Sequence, residues 1–224
     1  MKHDRIDPES GVVRVMFKNS RGFRLAGDLL VPAGPGPHPV VVFAHGWGGD
    51  RKSPRNRVAA RALVDAGIAA FLFDFTGHGE SEGTEVDCTP AQCLDDLRSA
   101  LDILDSFDEV DRRRSGVVGG GTAAGVVLQV AAQRPRLRAI ALRSPDPVST
   151  PDEVPALSVP VQLVVGEHDA VTRATSQRLL AALPGPKRLD VVDGGDGRFD
   201  DPRTRRQAAA RLAGWFGWHL RRVS

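Results

Sequence analysis

The run Gly119-Gly120-Gly121-Thr122-Ala123-Ala124-Gly125 joins a short apolar strand, Gly116 to Gly119, to a helical stretch, Ala123 to Gln133. A strand-to-helix turn of the G-x-S-x-G type strains its central residue, and its small flanking residues let strand and helix approach. A serine or cysteine at that centre would attack a carbonyl carbon. Two registers fit here: Gly119 and Ala123 can flank Gly121, or Gly121 and Gly125 can flank Ala123. The first is preferred, because Val117-Val118 then runs straight into the bend while Val126 stays in the helix. Neither register supplies a hydroxyl or thiol at the centre. Thr122 is off centre in both, so its hydroxyl is expected to point away from the pocket. Glycine also relieves a bend that costs other residues about 1–3 kcal/mol. A lost nucleophile and a plain Gly-rich turn both account for it.

Three further clusters fall at predicted strand ends: His45-Gly46-Trp47-Gly48-Gly49, the turn Asp74 to Ser81, and Gly166-Glu167-His168-Asp169. The strands that would carry them are Val40 to Ala44, Ile68 to Phe75 and Val161 to Val165. Two opening strands, Val12 to Lys18 and Phe23 to Val31, precede them; Ala139 to Leu142 and Arg188 to Val192 complete the set. Ser53-Pro54 and Gly67 bracket a helix over Arg55 to Ala66. Thr89 and Gln92 predict a capping box opening a helix with Leu94, Leu97, Leu101 and Leu104 on one stripe. A last helix from Asp201-Pro202 places Leu212, Trp215, Phe216 and Leu220 at core spacing. Alternating strands and helices predict one α/β domain over residues 1–224, its mainly parallel sheet covered on both faces. The short Pro-rich connection from Leu142 to Val161 allows only a minimal cap, with the pocket at the carboxyl ends of the strands.

These clusters, in this order, resemble the α/β-hydrolase superfamily, and within it the small dienelactone-hydrolase-like esterases; Phe43 to Arg57 carries the closest likeness. The resemblance runs from Val12 to Leu220. It implies that Asp169 holds the acid position and that Trp47 and Thr122 supply the backbone N–H groups of an oxyanion hole. It also implies a histidine in a G-x-D-H-x-F loop, where this chain has Gly194-Gly195-Asp196-Gly197-Arg198-Phe199, so Gly197 stands in the histidine position. No other histidine obviously replaces it: His45 lies in the oxyanion loop, His78 in the second cluster, His168 before the acid, His219 at the end of the last helix, and His3 and His38 outside all four.

The expectation is an acyl-hydrolase descendant with an oxyanion-hole pocket for a small acyl, ester or lactone ligand, inactive or nearly so as a serine hydrolase. It could be a natural pseudoenzyme or a disabled variant, and two lost positions favour the former. The alternative is a lyase, isomerase or cyclase using Asp169, Asp196 and His45 for non-covalent acid–base chemistry. A third reading is anion binding by Arg51, Lys52, Arg55 and Arg57, against which a solvated surface is favoured.

With a net charge of +2, no Tyr and 5% aromatic residues, the chain has no character of a nucleic-acid binder. No segment reads as a membrane span, and Met1 to Ser10 lacks a signal-peptide core. Cys88 and Cys93 have no metal-ligand spacing around them, so no cofactor or metal is expected and a cytoplasmic setting is the default. A homodimer stays open.

Overall fold

The computed structural model describes residues 11–150 and 156–221; the opening segment with His3 lies outside them. Eight strands form one sheet: β1 (Val12–Lys18), β2 (Arg24–Leu30), β3 (His38–Ala44), β4 (Ala69–Phe73), β5 (Val110–Gly120), β6 (Ala139–Arg143), β7 (Val161–Gly166) and β8 (Lys187–Val192), in the order β1-β2-β4-β3-β5-β6-β7-β8. β2 runs antiparallel to β1 and β4; all other pairs are parallel. The five helices are α1 (Pro54–Asp65), α2 (Pro90–Asp102), α3 (Ala123–Gln133), α4 (Ala170–Ala182) and α5 (Pro202–His219).

Alternation along the central strands divides the core into two layers. Val40, Val42 and Val117 face one side with α2 and α3, where Leu97, Val127 and Leu128 are buried. Val41, Phe43 and Val118 face the other, under Leu63 of α1 and Leu212 and Phe216 of α5. Successive strand residues point to opposite faces, so a strand covered on both sides must be apolar throughout. The Val40–Ala44 run is that sequence.

Helix ends follow local chemistry, with two departures from expectation. The Thr89 hydroxyl accepts from the Gln92 N–H at 3.2 Å, but the capping box is not closed. The Gln92 side chain turns instead to Asp96 and Arg21, each at 2.8 Å. The sequence reading names no helix between Val165 and Arg188, yet α4 lies there. Its only buried residues are Thr175, Ser176 and Leu179, which leaves almost no apolar stripe to detect. β5 also begins earlier than predicted, because its polar start, Asp111-Arg112-Arg113-Arg114, lacks any strand-like alternation. No helix among the described residues is long and apolar enough to cross a membrane.

Candidate active-site cleft

The bend between β5 and α3 falls on Gly121, whose φ is +54°. Ala123 is the first residue of α3, so the bend belongs to the register centred on Gly121. The neighbouring glycines are demanded by crowding. A Cβ on Gly46 would lie 2.7 Å from the Gly120 carbonyl oxygen, and one on Gly119 would lie 2.8 Å from Val127 Cγ2. Gly121 differs: a Cβ there would meet nothing within 4 Å. Only the left-handed backbone favours glycine at this position.

Thr122 does not turn away as expected. Its hydroxyl oxygen accepts the Trp47 N–H at 2.7 Å. The residue following the bend thereby occupies one of the two donors assigned to the oxyanion hole. The other, the Thr122 N–H, makes no hydrogen bond with a described residue. Nor does a ring nitrogen of a described residue hydrogen-bond to the Thr122 hydroxyl. His45 Nδ1 lies 2.9 Å from the Gly46 carbonyl oxygen, to which it donates, and Nε2 accepts from the Phe75 N–H at 3.0 Å. Both nitrogens of His45 are therefore committed to the backbone, tying the ends of β3 and β4 together. Burial lowers its pKa, so the neutral ring persists. His78 Nδ1 lies 3.1 Å from the Thr76 carbonyl oxygen, while its buried Nε2 has no partner among the described residues.

Asp169 and Gly197, the residues expected at the acid and histidine positions, lie together in the cleft. Asp169 caps α4, accepting from the Thr172 N–H at 3.2 Å and from the Thr172 hydroxyl. A Cβ on Gly197 would run into the Asp169 carboxylate, so the two positions face each other. Asp196 is occupied with its own loop: its Oδ1 accepts from the Arg198 N–H at 3.0 Å and the Asp200 N–H at 3.2 Å. Gly121, Asp169 and Gly197 line one cleft of about 480 Å³. A second cavity, of about 390 Å³, contains His78, Cys88, Cys93 and Val126. Trp47 and Thr122 line both, so their hydrogen bond stands between the two. The Cys88 and Cys93 sulfurs are 2.7 Å apart, both as free thiols. Among the described residues no group of three or more His, Cys, Asp or Glu could hold a metal ion.

The basic loop after Gly49 is only in part the solvated surface expected of it: Lys52 is exposed, but Arg51 is not. Arg51 is 2% exposed and ion-paired to fully buried Asp74, to Asp28 at 3.4 Å and to Glu80 at 2.7 Å. Burial alone would lower the Arg51 pKa; Asp74, Glu80 and Asp28 outweigh it and raise the value. Lys52 pairs with Glu80, and Arg57 with Asp28 at 3.0 Å. Hydrogen bonds from Lys52 and Arg51 pull Glu80 down to about 2. Three of the four cations therefore already have carboxylate partners, which removes most of the attraction for an outside anion. Arg55 alone turns to the cleft.

Two cleft residues escaped the sequence reading. Arg143 ends β6 and is 7% exposed; Ser144, 8% exposed, follows it with a φ of +45°. The available signal was a charged residue directly continuing the buried run Ala139-Ile140-Ala141-Leu142 at the carboxyl end of a parallel strand.

Comparison with known proteins agrees with this fold. A family model described as serine aminopeptidase, S33, matches residues 35–147, half of the chain. A Mycobacterium tuberculosis protein provisionally named a phosphoribosyl transferase is 33% identical over 201 residues, covering 88% of this chain and 44% of that protein. The chain thus spans less than half the length of that relative. An uncharacterised protein of the same organism is 30% identical over 203 residues, covering 80% of this chain and 70% of its own. The crystal structure of a dienelactone hydrolase from Anabaena variabilis superposes with a TM-score of 0.80 at 28% identity, covering 94% of this chain and all of that one. The chain belongs to the α/β-hydrolase superfamily, in the family described as serine aminopeptidase, S33.

Proposed function

We propose that this chain is a small-molecule binding protein of esterase or lactonase ancestry that no longer hydrolyses its ligand through a covalent acyl intermediate. The observation that carries the reading is Gly121 at the bend, at φ +54° with open space where a nucleophilic side chain would stand. Gly197 opposite Asp169 removes the imidazole from the same cleft. A triad stripped of its members can retain about 10³–10⁴-fold catalysis over water through the oxyanion hole and binding. Here one hole donor, the Trp47 N–H, is held by Thr122, which argues for still less. The ligand class, a small acyl, ester or lactone compound, follows from the ancestry. The acid–base alternative draws no support from Asp169, Asp196 or His45, each already engaged in holding a helix, a loop or two strand ends.

The test is labelling with a fluorophosphonate probe alongside turnover of p-nitrophenyl acetate. The wild-type chain is expected to take up no probe. The triple variant Gly121→Ser, Thr122→Ala, Gly197→His restores nucleophile and imidazole and frees the Trp47 N–H, and is expected to gain both labelling and turnover. Stoichiometric labelling of the wild type would overturn the proposal. A folded triple variant without any gain would show that the cleft is not an inherited acyl site.

A further inference from the structure

The cleft beside Gly121 holds a buried cation that has no partner of opposite charge among the described residues. Arg143 makes two hydrogen bonds, to the Asn56 side-chain oxygen at 2.7 Å and the Arg55 carbonyl oxygen at 3.4 Å, and forms no ion pair with a described residue. Both acceptors are neutral. A guanidinium carries five N–H donors, so three are left. Its position against the bend is close: a Cβ on Gly120 would be 3.2 Å from its Nη2. Burial, followed by repulsion from Arg55, pushes Arg143 down to about 9.

A second polar group in the same cleft is also unsatisfied. Ser144 Oγ is buried and has no hydrogen-bond partner among the described residues, and its residue lines the cavity with Arg143. Arg55 and Arg198 line it too, against the carboxylates of Asp146 and Asp169. Asp169 is turned to Thr172, and Arg198 has only a loose 3.9 Å contact with Asp200. Contrast Arg51, equally buried, which is surrounded by Asp28, Asp74 and Glu80. One buried arginine is neutralised by three carboxylates while the other meets none among the described residues, which leaves a place for a negative charge from outside. A buried charge without a partner is strongly unfavourable, and a forked guanidinium pairs best with a planar or tetrahedral oxyanion.

We propose that Arg143 and Ser144 form an oxyanion-binding subsite at the base of the cleft, taking the carboxylate or phosphate group of a small organic ligand. The proposal rests on the cleft being a ligand site and adds the chemistry of the group it recognises. The oxyanion sits on the Arg143 fork and accepts the Ser144 hydroxyl proton in a hydrogen bond. Arg55 and Arg198 at the same cavity draw the anion in.

The experiment measures thermal stability and calorimetric binding of the full chain with sodium acetate, sodium benzoate or inorganic phosphate, against sodium chloride at matched ionic strength. Specific binding raises the melting temperature beyond the chloride control. A response to the carboxylates alone, to phosphate alone or to both supports the subsite and identifies the head group. Arg143→Met is expected to weaken binding about tenfold to a hundredfold, the worth of a charged hydrogen bond, and Ser144→Ala to weaken it less. If Arg143→Met does not fold, Arg143→Lys, which keeps the charge without the fork, is read in its place. No response beyond chloride, or unchanged binding in the Arg143 and Ser144 variants, overturns the proposal. Fluorophosphonate labelling of the wild type would sink the non-covalent reading while leaving an anion response intact, so the two failures are distinguishable.

Discussion

Glycines with positive φ give a direct test of whether the bend still has room for a nucleophile. Gly121 (φ +54°) and Gly194 (φ +69°) have nothing within 4 Å of a built Cβ, whereas a Cβ on Gly77 (φ +75°) would overlap the Thr84 carbonyl. Replacing each in turn by alanine imposes the same kind of backbone strain, of order 1–3 kcal/mol. Reduced freedom of the unfolded chain offsets about 0.4–1 kcal/mol of it. Only Gly77→Ala adds a clash with backbone that cannot swing away, worth about 1–3 kcal/mol more. For a chain of this length 1 kcal/mol corresponds to roughly 2–4 °C in melting temperature. Gly121→Ala and Gly194→Ala should therefore melt close together, and Gly77→Ala about 2–12 °C below both. Thermal unfolding followed by circular dichroism, with urea titrations to obtain free energies, reads the differences. Should Gly121→Ala fall as far as Gly77→Ala, the bend is closed to any side chain. A reactive group is then not simply missing from an otherwise competent site.

Two further outcomes follow from the charge network around the oxyanion loop. Asp74→Asn leaves Arg51 buried with a weakened partner and should lower stability by about 3–5 kcal/mol; a urea midpoint unchanged from wild type would mean that the pair does not hold the loop. Glu80 is depressed from 4.5 to about 2. Its contribution is therefore complete above the unfolded value of 4.5 and is lost as pH falls toward about 2. Because Glu80 is 45% exposed, solvent screening keeps the effect small. Glu80→Gln should flatten the acid limb of the stability curve below pH 4.5, and a variant limb that superposes on the wild type would contradict the pairing.

The two buried arginines show how one fold treats the same charge in opposite ways. Arg51 N–H and guanidinium both reach Asp74, so the segment after β3 is fastened to the end of β4, and with it the loop that carries Trp47. Among the described residues Arg143 is fastened only by neutral oxygens.

The linear sequence determined what local pattern can encode. Val40 to Ala44 reads as a doubly covered strand, because period-2 alternation leaves no exposed face. The stripe Leu212, Trp215, Phe216 reads as the buried side of a helix, and the run Gly119 to Gly125 reads as a tight turn without a nucleophile at its centre. α4 stayed hidden, since a helix with one buried leucine among its thirteen residues carries no periodic signal. Tertiary structure alone decided which arginine is neutralised, which direction the Thr122 hydroxyl takes, and that the Asp169 carboxylate lies under Gly197. Each depends on groups far apart in the chain: Trp47 and Thr122 are 75 residues apart, Arg143 and Asn56 87. Hydrogen bonds and charge pairs act over a few ångströms of space. No pattern along a single strand or helix records which distant donor will arrive there.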